Sequence, residues 1–269
     1  MYAIDDVASA LKSAQSLGYL AVKKLQLEYR RSIIGSLWIV IAFVITATGI
    51  GVLLAELTGR QMSQHVPHVL FGMAAWNFVN NIVTSGCNVF HANRSMILQV
   101  PLPRATFVIT QVFRHGTLFL VQLATAVVVA ALFGWRPGIE SFYVLPAIVV
   151  FAVAGFGVTF LVAFLTLRLP DIGEIIASVM RLAFFFTPII WVFETRTARF
   201  EVASGESSLM AFLVRWNPFT HFIEIVRSPL MYDGASVLNW IVAVGLAAAL
   251  FILGMISLQI AGRRLAYWL

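Results

Sequence analysis

The chain has 269 residues, of which 60% are hydrophobic and only 11% are charged. Because a soluble domain usually carries about 25% charged residues, most of this chain must face lipid, and the composition predicts an all-α polytopic membrane protein. The net charge of +6 indicates contact with anionic membrane lipids rather than nucleic acid.

Residues 1–32 precede any apolar segment that is long enough to cross a bilayer. Leu17, Leu20, Ala21 and Leu25 follow helical spacing, and lysines interrupt this apolar stripe. We expect a helix that lies in the cytoplasmic interface, with its lysines reaching lipid headgroups. A solvated tail is the alternative.

Six apolar segments follow, each long enough to cross about 30 Å of hydrocarbon as a helix. They cover residues 33–56, 68–90, 105–133, 141–168, 172–193 and 237–261. An even number of spans puts both termini on one side of the membrane. Lysines and arginines are more frequent on that side, which predicts that the termini are cytoplasmic.

The outer loop, residues 194–236, contains apolar stretches that are too short and too charged to cross a bilayer. Asn217 followed by Pro218 is a favourable N-cap and first-turn pair for a helix. The following residues separate onto an apolar and a polar helical face, formed by Phe219, Phe222, Ile223 and Val226 and by His221, Glu224 and Arg227. We expect a short re-entrant helix in the outer leaflet; the alternative is an extracellular cap that rests on the bundle.

Several kinds of chemistry have no residues to support them. The sequence has no Gly-Lys pair, so it lacks the P-loop that binds ATP phosphates. Neither a cluster with metal-ligand spacing nor a nucleophile elbow occurs. Carboxylates lie near the ends of the predicted spans, which argues against an ion-driven transporter. We interpret residues 1–269 as one transmembrane domain, with spans one to five in 33–193 and the sixth span and tail in 237–269.

Two arginines, Arg114 and Arg181, fall inside predicted spans. A guanidinium in a membrane needs a partner or water, so each is either half of a structural pair, such as Arg181 with Glu174, or a contact for phosphate or sugar. Aromatic residues surround Thr187 and Pro188 in the fifth span, where proline is expected to bend the helix. They form either an interfacial belt or a stacking surface for sugar rings.

A series of short motifs runs along the chain: Tyr29-Arg30-Arg31, Ile34-Gly35-Ser36-Leu37-Trp38, Asn93-Arg94, Pro101-Leu102-Pro103, Arg168-Leu169-Pro170-Asp171-Ile172, Phe186-Thr187-Pro188-Ile189-Ile190-Trp191, Trp216-Asn217-Pro218-Phe219, Glu224-Ile225-Val226-Arg227 and Ala266-Tyr267-Trp268-Leu269. In order and spacing, over nearly the whole chain, this resembles the permease subunit of polysaccharide-export ABC transporters, the type-2 exporters of O-antigen, capsule or teichoic acid.

The resemblance implies a homodimer in the bacterial inner membrane that works with two copies of a separate ATP-binding subunit. ATP and magnesium would bind that partner, and this chain would bind no cofactor. The implied substrate is a lipid-linked polysaccharide, which passes from the cytoplasmic to the outer face through a channel between the protomers.

The resemblance, together with the chemistry of the residues, indicates roles for particular positions. The channel and substrate candidates are Tyr29, Arg30, Arg31, Trp38, Arg181, Phe184, Phe185 and Trp191, since arginines suit linkage phosphates and aromatics suit sugars. The candidates for coupling to the ATPase are Asn93, Arg94, Pro101, Pro103 and Asp171. The candidates in the re-entrant helix are Asn217, Pro218, Glu224 and Arg227.

Two other functions stay open at this point. An ABC exporter permease for a small drug or a lipid would have nearly the same architecture. An intramembrane transferase acting on lipid carriers would need a catalytic acid or histidine, and His221 with Glu224 is the pair that the sequence offers.

Overall fold

The computed structural model describes residues 2–12, 37–192, 216–232, 234 and 236–268. Throughout these residues the regular secondary structure is helical, which confirms the predicted all-α class. The α-helices are α1 (Tyr2–Lys12), α2 (Leu37–Thr58), α3 (Met62–Gly86), α4 (Arg94–Gln99), α5 (Arg104–Leu132), α6 (Val144–Arg168), α7 (Asp171–Phe186), α8 (Pro218–Met231), α9 (Val237–Ala261) and α10 (Leu265–Trp268). Short 3-10 turns at His91–Asn93, Ile139–Tyr143 and Gly262–Arg264 link neighbouring helices.

Four helical segments within the described part of the chain are long and apolar enough to cross a membrane: Leu37–Thr58, Arg104–Leu132, Ile139–Arg168 and Val237–Ala261. They correspond to the first, third, fourth and sixth predicted spans. Helix α7 is shorter, with 16 residues and a length of about 24 Å. Helix α3 is long but less apolar. The second and fifth spans therefore stay predictions.

Helix α3 is the central helix of the bundle. It packs against α2, α5, α6, α7 and α8, and most of its side chains are buried. Its polar groups find partners inside the protein: Asn77 donates to Gln122 of α5 (3.3 Å), and Gln111 of α5 donates to Ser85 (2.6 Å). Because α3 contacts protein on most sides, it does not need the uniformly apolar surface that lipid demands.

Helices α6 and α9 cross in close contact at two glycines. A Cβ at Gly157 would lie 2.3 Å from the backbone of Leu250, and a Cβ at Gly254 would lie 2.7 Å from the carbonyl oxygen of Gly157. Small residues allow this backbone approach, which favours helix association in membranes through van der Waals contact.

Helix α1 lies against the ends of α5 and α9. The carboxylate of Asp6 accepts hydrogen bonds from the backbone N–H groups of Arg104 (3.0 Å) and Ala105 (2.7 Å), which have no intrahelical acceptor in the first turn of α5. The N–H of Ala3 donates to the side chain of Gln259 in α9 (2.9 Å). The remainder of the predicted interfacial region, residues 13–32, lies outside the described residues, as do the first four residues of the predicted first span.

Helix α7 ends earlier than the predicted span 172–193. Its last residue is Phe186, and Thr187 is extended, with φ −87° and ψ 136°. The cause is Pro188, whose ring disfavours helical backbone at the preceding residue. The proline therefore ends this helix rather than bending it.

Candidate functional site

One face of α7 carries a line of exposed polar side chains. Asp171, Glu174, Ser178 and Arg181 are exposed, and their spacing of three and four residues puts them on one helical face. Phe185, one turn further, continues the line and is 63% exposed. We call these five residues the α7 stripe. Within a bilayer, such charged groups are stable only where they meet water or other polar groups.

Arg181 does not stand isolated in the stripe. Its Nη2 donates to the hydroxyl of Ser178 (2.9 Å), one turn back on the same helix. Ser178 in turn donates to the backbone carbonyl of Glu174 (2.9 Å). The serine thus holds the guanidinium on the exposed face of the helix.

Aromatic side chains connect the end of the stripe to the bundle core. The ring of Phe184 lies 5.5 Å from that of Phe185 and 5.8 Å from that of Trp76 in α3, and Trp76 lies 5.6 Å from Phe219 in α8. The indole of Trp191 donates to the carbonyl of Phe185 (3.2 Å). Of the predicted channel aromatics, Phe185 is on the surface, whereas Phe184 and Trp191 are half-buried.

The predicted site at the start of the first span is described only in part. Trp38 is the second residue of α2 and is 57% exposed, beside Leu37 at 62%. Tyr29, Arg30 and Arg31 lie outside the described residues. Their predicted role beside Trp38 therefore stays a prediction.

The predicted coupling residues lie on the same side of the bundle as the start of α5. Arg94 opens the exposed helix α4, and Pro101 is exposed in the turn that follows. Pro103 precedes the first residue of α5. The side-chain amide of Asn93 donates to the carbonyl of Val89 (2.6 Å), so Asn93 is bonded to the turn that follows α3.

A cavity of about 280 Å³ brings the two predicted inner loops together. The residues that line it come from the end of α3, the end of α6 and the start of α7: Thr84, Cys87, Asn88, His91, Thr166, Pro170, Gly173, Glu174 and Ala177. Thr166 donates to the carbonyl of Cys87 (2.6 Å) and closes one wall. Asp171, the remaining coupling candidate, is exposed next to this cavity at the start of α7.

The predicted cap of α8 is present. Asn217 accepts a hydrogen bond from the N–H of Phe219 (2.9 Å), and Pro218 is at the first helical position. The amide of Asn217 also donates to the hydroxyl of Thr187 (2.9 Å). The residue that begins α8 is thus bonded to the residue that follows α7.

The polar face of α8 is buried rather than exposed. Arg227 is 1% exposed, forms an ion pair with Glu224, donates to the carbonyl of Pro188 (2.5 Å) and lies 2.9 Å from Nε2 of His68 in α3. The second carboxylate oxygen of Glu224 accepts from the hydroxyl of Ser228. These contacts place Arg227 between α3, α8 and the end of α7.

The two groups that an intramembrane transferase would need are bonded to different partners. Nδ1 of His221 is 2.8 Å from the side-chain oxygen of Asn239 in α9. Glu224 is bonded to Arg227 and Ser228. Each group already has its own partner within the protein, which weighs against a catalytic role for this pair.

The sequence pattern did not identify four residues that contact the predicted site residues or their neighbours. Asp6 is bonded to the start of α5 after Pro103, His68 and Gly72 lie beside Arg227, and Trp76 packs against Phe184. Their partners lie far away along the chain; His68 and Arg227, for example, are separated by 159 positions. The close spacing of His65 and His68 was visible as a local signal, but it does not identify Arg227, which contacts His68.

The fold and the distribution of polar groups define a multi-pass helical membrane protein with a buried ionic centre beside the end of α7. The sequence model of the ABC-2 type transporter family matches residues 15–231. The chain therefore belongs to the ABC-2 type transporter family, and it is the transport permease of an ABC transporter. The predicted resemblance is confirmed at this level.

Similar proteins agree with this assignment. Two proteins of Klebsiella pneumoniae, each named O-antigen export system permease protein RfbA, are 22% identical over 237 residues (85% of this chain, 90% of the relative) and 23% identical over 215 residues (77% and 83%). A protein of the same name from Myxococcus xanthus is 22% identical over 177 residues, 65% of this chain and 68% of the relative.

Proposed function

We propose that this chain is the membrane-spanning subunit of an ATP-driven exporter of lipid-linked polysaccharide. Two copies would form a homodimer with two copies of an ATP-binding subunit, which would bind ATP and magnesium. Membership of the ABC-2 family and the names of the relatives as O-antigen export permeases support this proposal.

The α7 stripe is the observation that carries the proposal. It puts two carboxylates, a serine, an arginine and a phenylalanine on an exposed face of a helix in a chain whose surface is mainly apolar. Two protomers that oppose these faces enclose a polar path, in which sugar hydroxyls satisfy the charged groups and an aromatic ring contacts the apolar face of each sugar. A hydrophobic cargo would instead need an apolar lining, so the stripe favours a glycan over a small drug or a lipid.

We propose the six-span topology with both termini in the cytoplasm of a bacterium. Here α3 and α7 are the second and fifth spans; the surroundings of α3 account for its low hydropathy, and Pro188 accounts for the short length of α7. Helix α3 is enclosed by other helices, and α7 faces a polar path. The N-terminal region lies at the cytoplasmic interface, and α8 is a re-entrant helix on the outer side.

We propose that the anionic linkage of the substrate contacts cationic side chains one after another during transport. Arg30 and Arg31, beside Tyr29, receive the linkage phosphate at the inner surface, and Arg181 meets it or the following sugars within the path. Guanidinium groups suit this task because they bind phosphate oxygens in pairs. Trp38, Phe184, Phe185 and Trp191 are the aromatic groups that lie along the path.

Coupling to the ATPase is proposed at the inner surface. The turn with Asn93, Arg94, Pro101 and Pro103 and the start of α7 at Asp171 receive the partner's motion. The exposure of Arg94, Pro101 and Asp171 and the shared cavity between these two segments support this placement. ATP binding by the partner then shifts the permease between closed and open states.

Deletion of the gene tests the proposal. The expected result is loss of glycan from the cell surface, accumulation of lipid-linked polymer in the cytoplasmic leaflet, and recovery of both on complementation. Undiminished surface glycan without internal polymer would contradict the proposal. A change confined to drug sensitivity or lipid composition would instead assign the permease to a small substrate.

A further inference from the structure

Side chains from α8 hold the chain at two adjacent residues just after α7. The amide of Asn217 donates to the hydroxyl of Thr187 (2.9 Å), and the guanidinium of Arg227 donates to the carbonyl of Pro188 (2.5 Å). Asn217 and Arg227 lie about 15 Å apart along the axis of α8. The N-cap of α8 and a residue about one turn before its C-terminal end are therefore attached to one short stretch. We call these four residues the break clamp.

The break clamp satisfies polar groups that the end of α7 leaves unpaired. Because the helix stops at Phe186, the carbonyl of Pro188 has no amide donor from a following helical turn. Arg227 supplies that donor. Burial of a guanidinium is costly unless it is paired and hydrogen-bonded, and here the carboxylate of Glu224 balances the charge.

Helix α3 closes the break clamp from the opposite side. A Cβ on Gly72 would lie 3.1 Å from the carbonyl oxygen of Ile189 and 3.4 Å from Nη1 of Arg227. Glycine therefore lets the backbone after the break and the guanidinium lie together against α3. Thr187 and Ile189 are fully buried, so the stretch after α7 is enclosed by protein.

The position of this stretch sets the position of the α7 stripe. Arg181 and Phe185 lie within two helical turns of Thr187, and the hydroxyl of Thr187 also donates to the carbonyl of Ala183 in the last turn of α7 (2.7 Å). Thr187 thus links the last turn of α7 to Asn217 directly. These two bonds are the direct connection between the N-cap of α8 and the helix that carries the stripe.

We propose that Asn217 and Arg227 are positioning residues for export: through the break clamp they fix the outer end of α7 and so the orientation of its stripe. This inference rests on the proposed function. A role limited to stability would make the same residues necessary for folding alone. The two roles differ in whether export fails in a permease that assembles normally.

A double-mutant cycle on Asn217 and Thr187 separates these roles. Asn217→Asp keeps an acceptor for the N–H of Phe219, so α8 stays capped, but it removes the amide that donates to Thr187. Thr187→Val removes the hydroxyl and keeps the β-branched shape. We expect each variant to lower the export rate per permease by about tenfold. Thr187→Val also removes the bond to the carbonyl of Ala183, so we expect the combination to be no slower than Thr187→Val alone, in which the bond to Asn217 is already lost.

Two readouts accompany the cycle. The amount of permease in the membrane and ATP hydrolysis by the complex with its ATP-binding subunit are expected to stay at the wild-type level, which a purely structural role would not allow. Ser236→Asp is the matched control, because Ser236 caps α9 by accepting from the N–H of Asn239 (3.3 Å) and does not contact the break clamp. Its export should equal that of the wild type.

The ion pair offers a second, independent test. Arg227→Met alone leaves the carboxylate of Glu224 without its cation and should reduce the amount of permease. Arg227→Met combined with Glu224→Leu removes both charges, and the loss of a buried ion pair as a whole is often tolerated. We expect the double variant to recover its membrane amount but to export about tenfold more slowly, because the carbonyl of Pro188 still lacks its donor.

The outcomes distinguish the inference from the proposed function. If the wild-type complex moves no lipid-linked polysaccharide, the proposed function fails. If the wild type exports and the variants of Asn217, Thr187 and the ion pair export equally well, the positioning role alone is wrong. Export that falls only in proportion to the membrane amount would also overturn it in favour of stability.

Discussion

The carboxylate of Asp6 in α1 accepts a hydrogen bond of 2.7 Å from the backbone N–H of Ala105, so the N-terminal helix caps a helix that begins about a hundred residues later. The second carboxylate oxygen accepts from the N–H of Arg104 (3.0 Å). Both donors directly follow Pro103, one of the predicted coupling residues. This bond therefore ties α1 to the turn that we propose receives the motion of the ATPase.

Replacement of Asp6 should loosen this attachment. We expect Asp6→Ala to lower the free energy of unfolding by about 1–2 kcal/mol, the usual effect of removing a capping side chain. Thermal unfolding of the purified permease measures the change. Asp5→Ala is the matched control, since Asp5 is exposed on the same helix; equal losses for the two variants would contradict the capping role.

Close contact between α6 and α9 predicts a strong effect of one methyl group. In Gly254→Ala the new Cβ would lie 2.7 Å from the carbonyl oxygen of Gly157, so the helices must separate, at a cost of about 1–3 kcal/mol. Gly245→Ala on the same helix should be neutral, because that Cβ meets nothing within 4 Å. Membrane yield and melting temperature compare the two variants, and an unaffected Gly254→Ala protein would refute the packing described.

Arg181 should matter for export more than for assembly. We expect Arg181→Ala to slow export by about tenfold, since a lost hydrogen bond to a charged group is worth about 1.5 kcal/mol, and Arg181→Lys to recover part of the rate. Surface glycan per permease is the measurement. Arg136→Ala, an exposed arginine after α5, is the control. If Arg181→Ala exported at the wild-type rate, the proposal that Arg181 lines the path would be wrong.

Arg30 and Arg31 test whether the inner surface binds the substrate's phosphate. We expect the double variant Arg30→Ala with Arg31→Ala to weaken export more than it weakens assembly, because the pair would attract an anionic linkage. Surface glycan and the amount of permease in the membrane are measured together. Normal export by the double variant would mean that the two arginines only contact lipid headgroups.

Local sequence patterns predicted those features that depend on neighbours in the chain. The cap at Asn217 with Pro218 was predictable because capping involves only residues within one turn. The four most apolar helices were predictable from length and hydropathy. The end of α7 was only partly predicted. Pro188 indicated an irregular backbone at this position, but the contacts of Thr187 and Pro188 with Asn217 and Arg227, which accompany the end of the helix, come from a distant part of the chain.

Features that depend on distant residues escaped the sequence pattern. His221, Glu224 and Arg227 were correctly placed on one face of α8, yet that face is buried because α3, α9 and the end of α7 supply polar partners. A hydropathy pattern assigns such a face to water or headgroups, because it depends only on the residues of the helix itself and contains no information about hydrogen-bond partners on other helices. In the same way, nothing local distinguishes Gly254, which contacts α6, from Gly245, which does not.

Transport by purified components tests the central claim most directly. The permease and its ATP-binding subunit are reconstituted in vesicles that carry lipid-linked polysaccharide on the side of the ATPase, and glycan that becomes accessible on the opposite side is measured. We predict movement that requires ATP and that falls about tenfold with Arg181→Ala. If the glycan stays on its original side while the complex hydrolyses ATP, the proposed function is wrong.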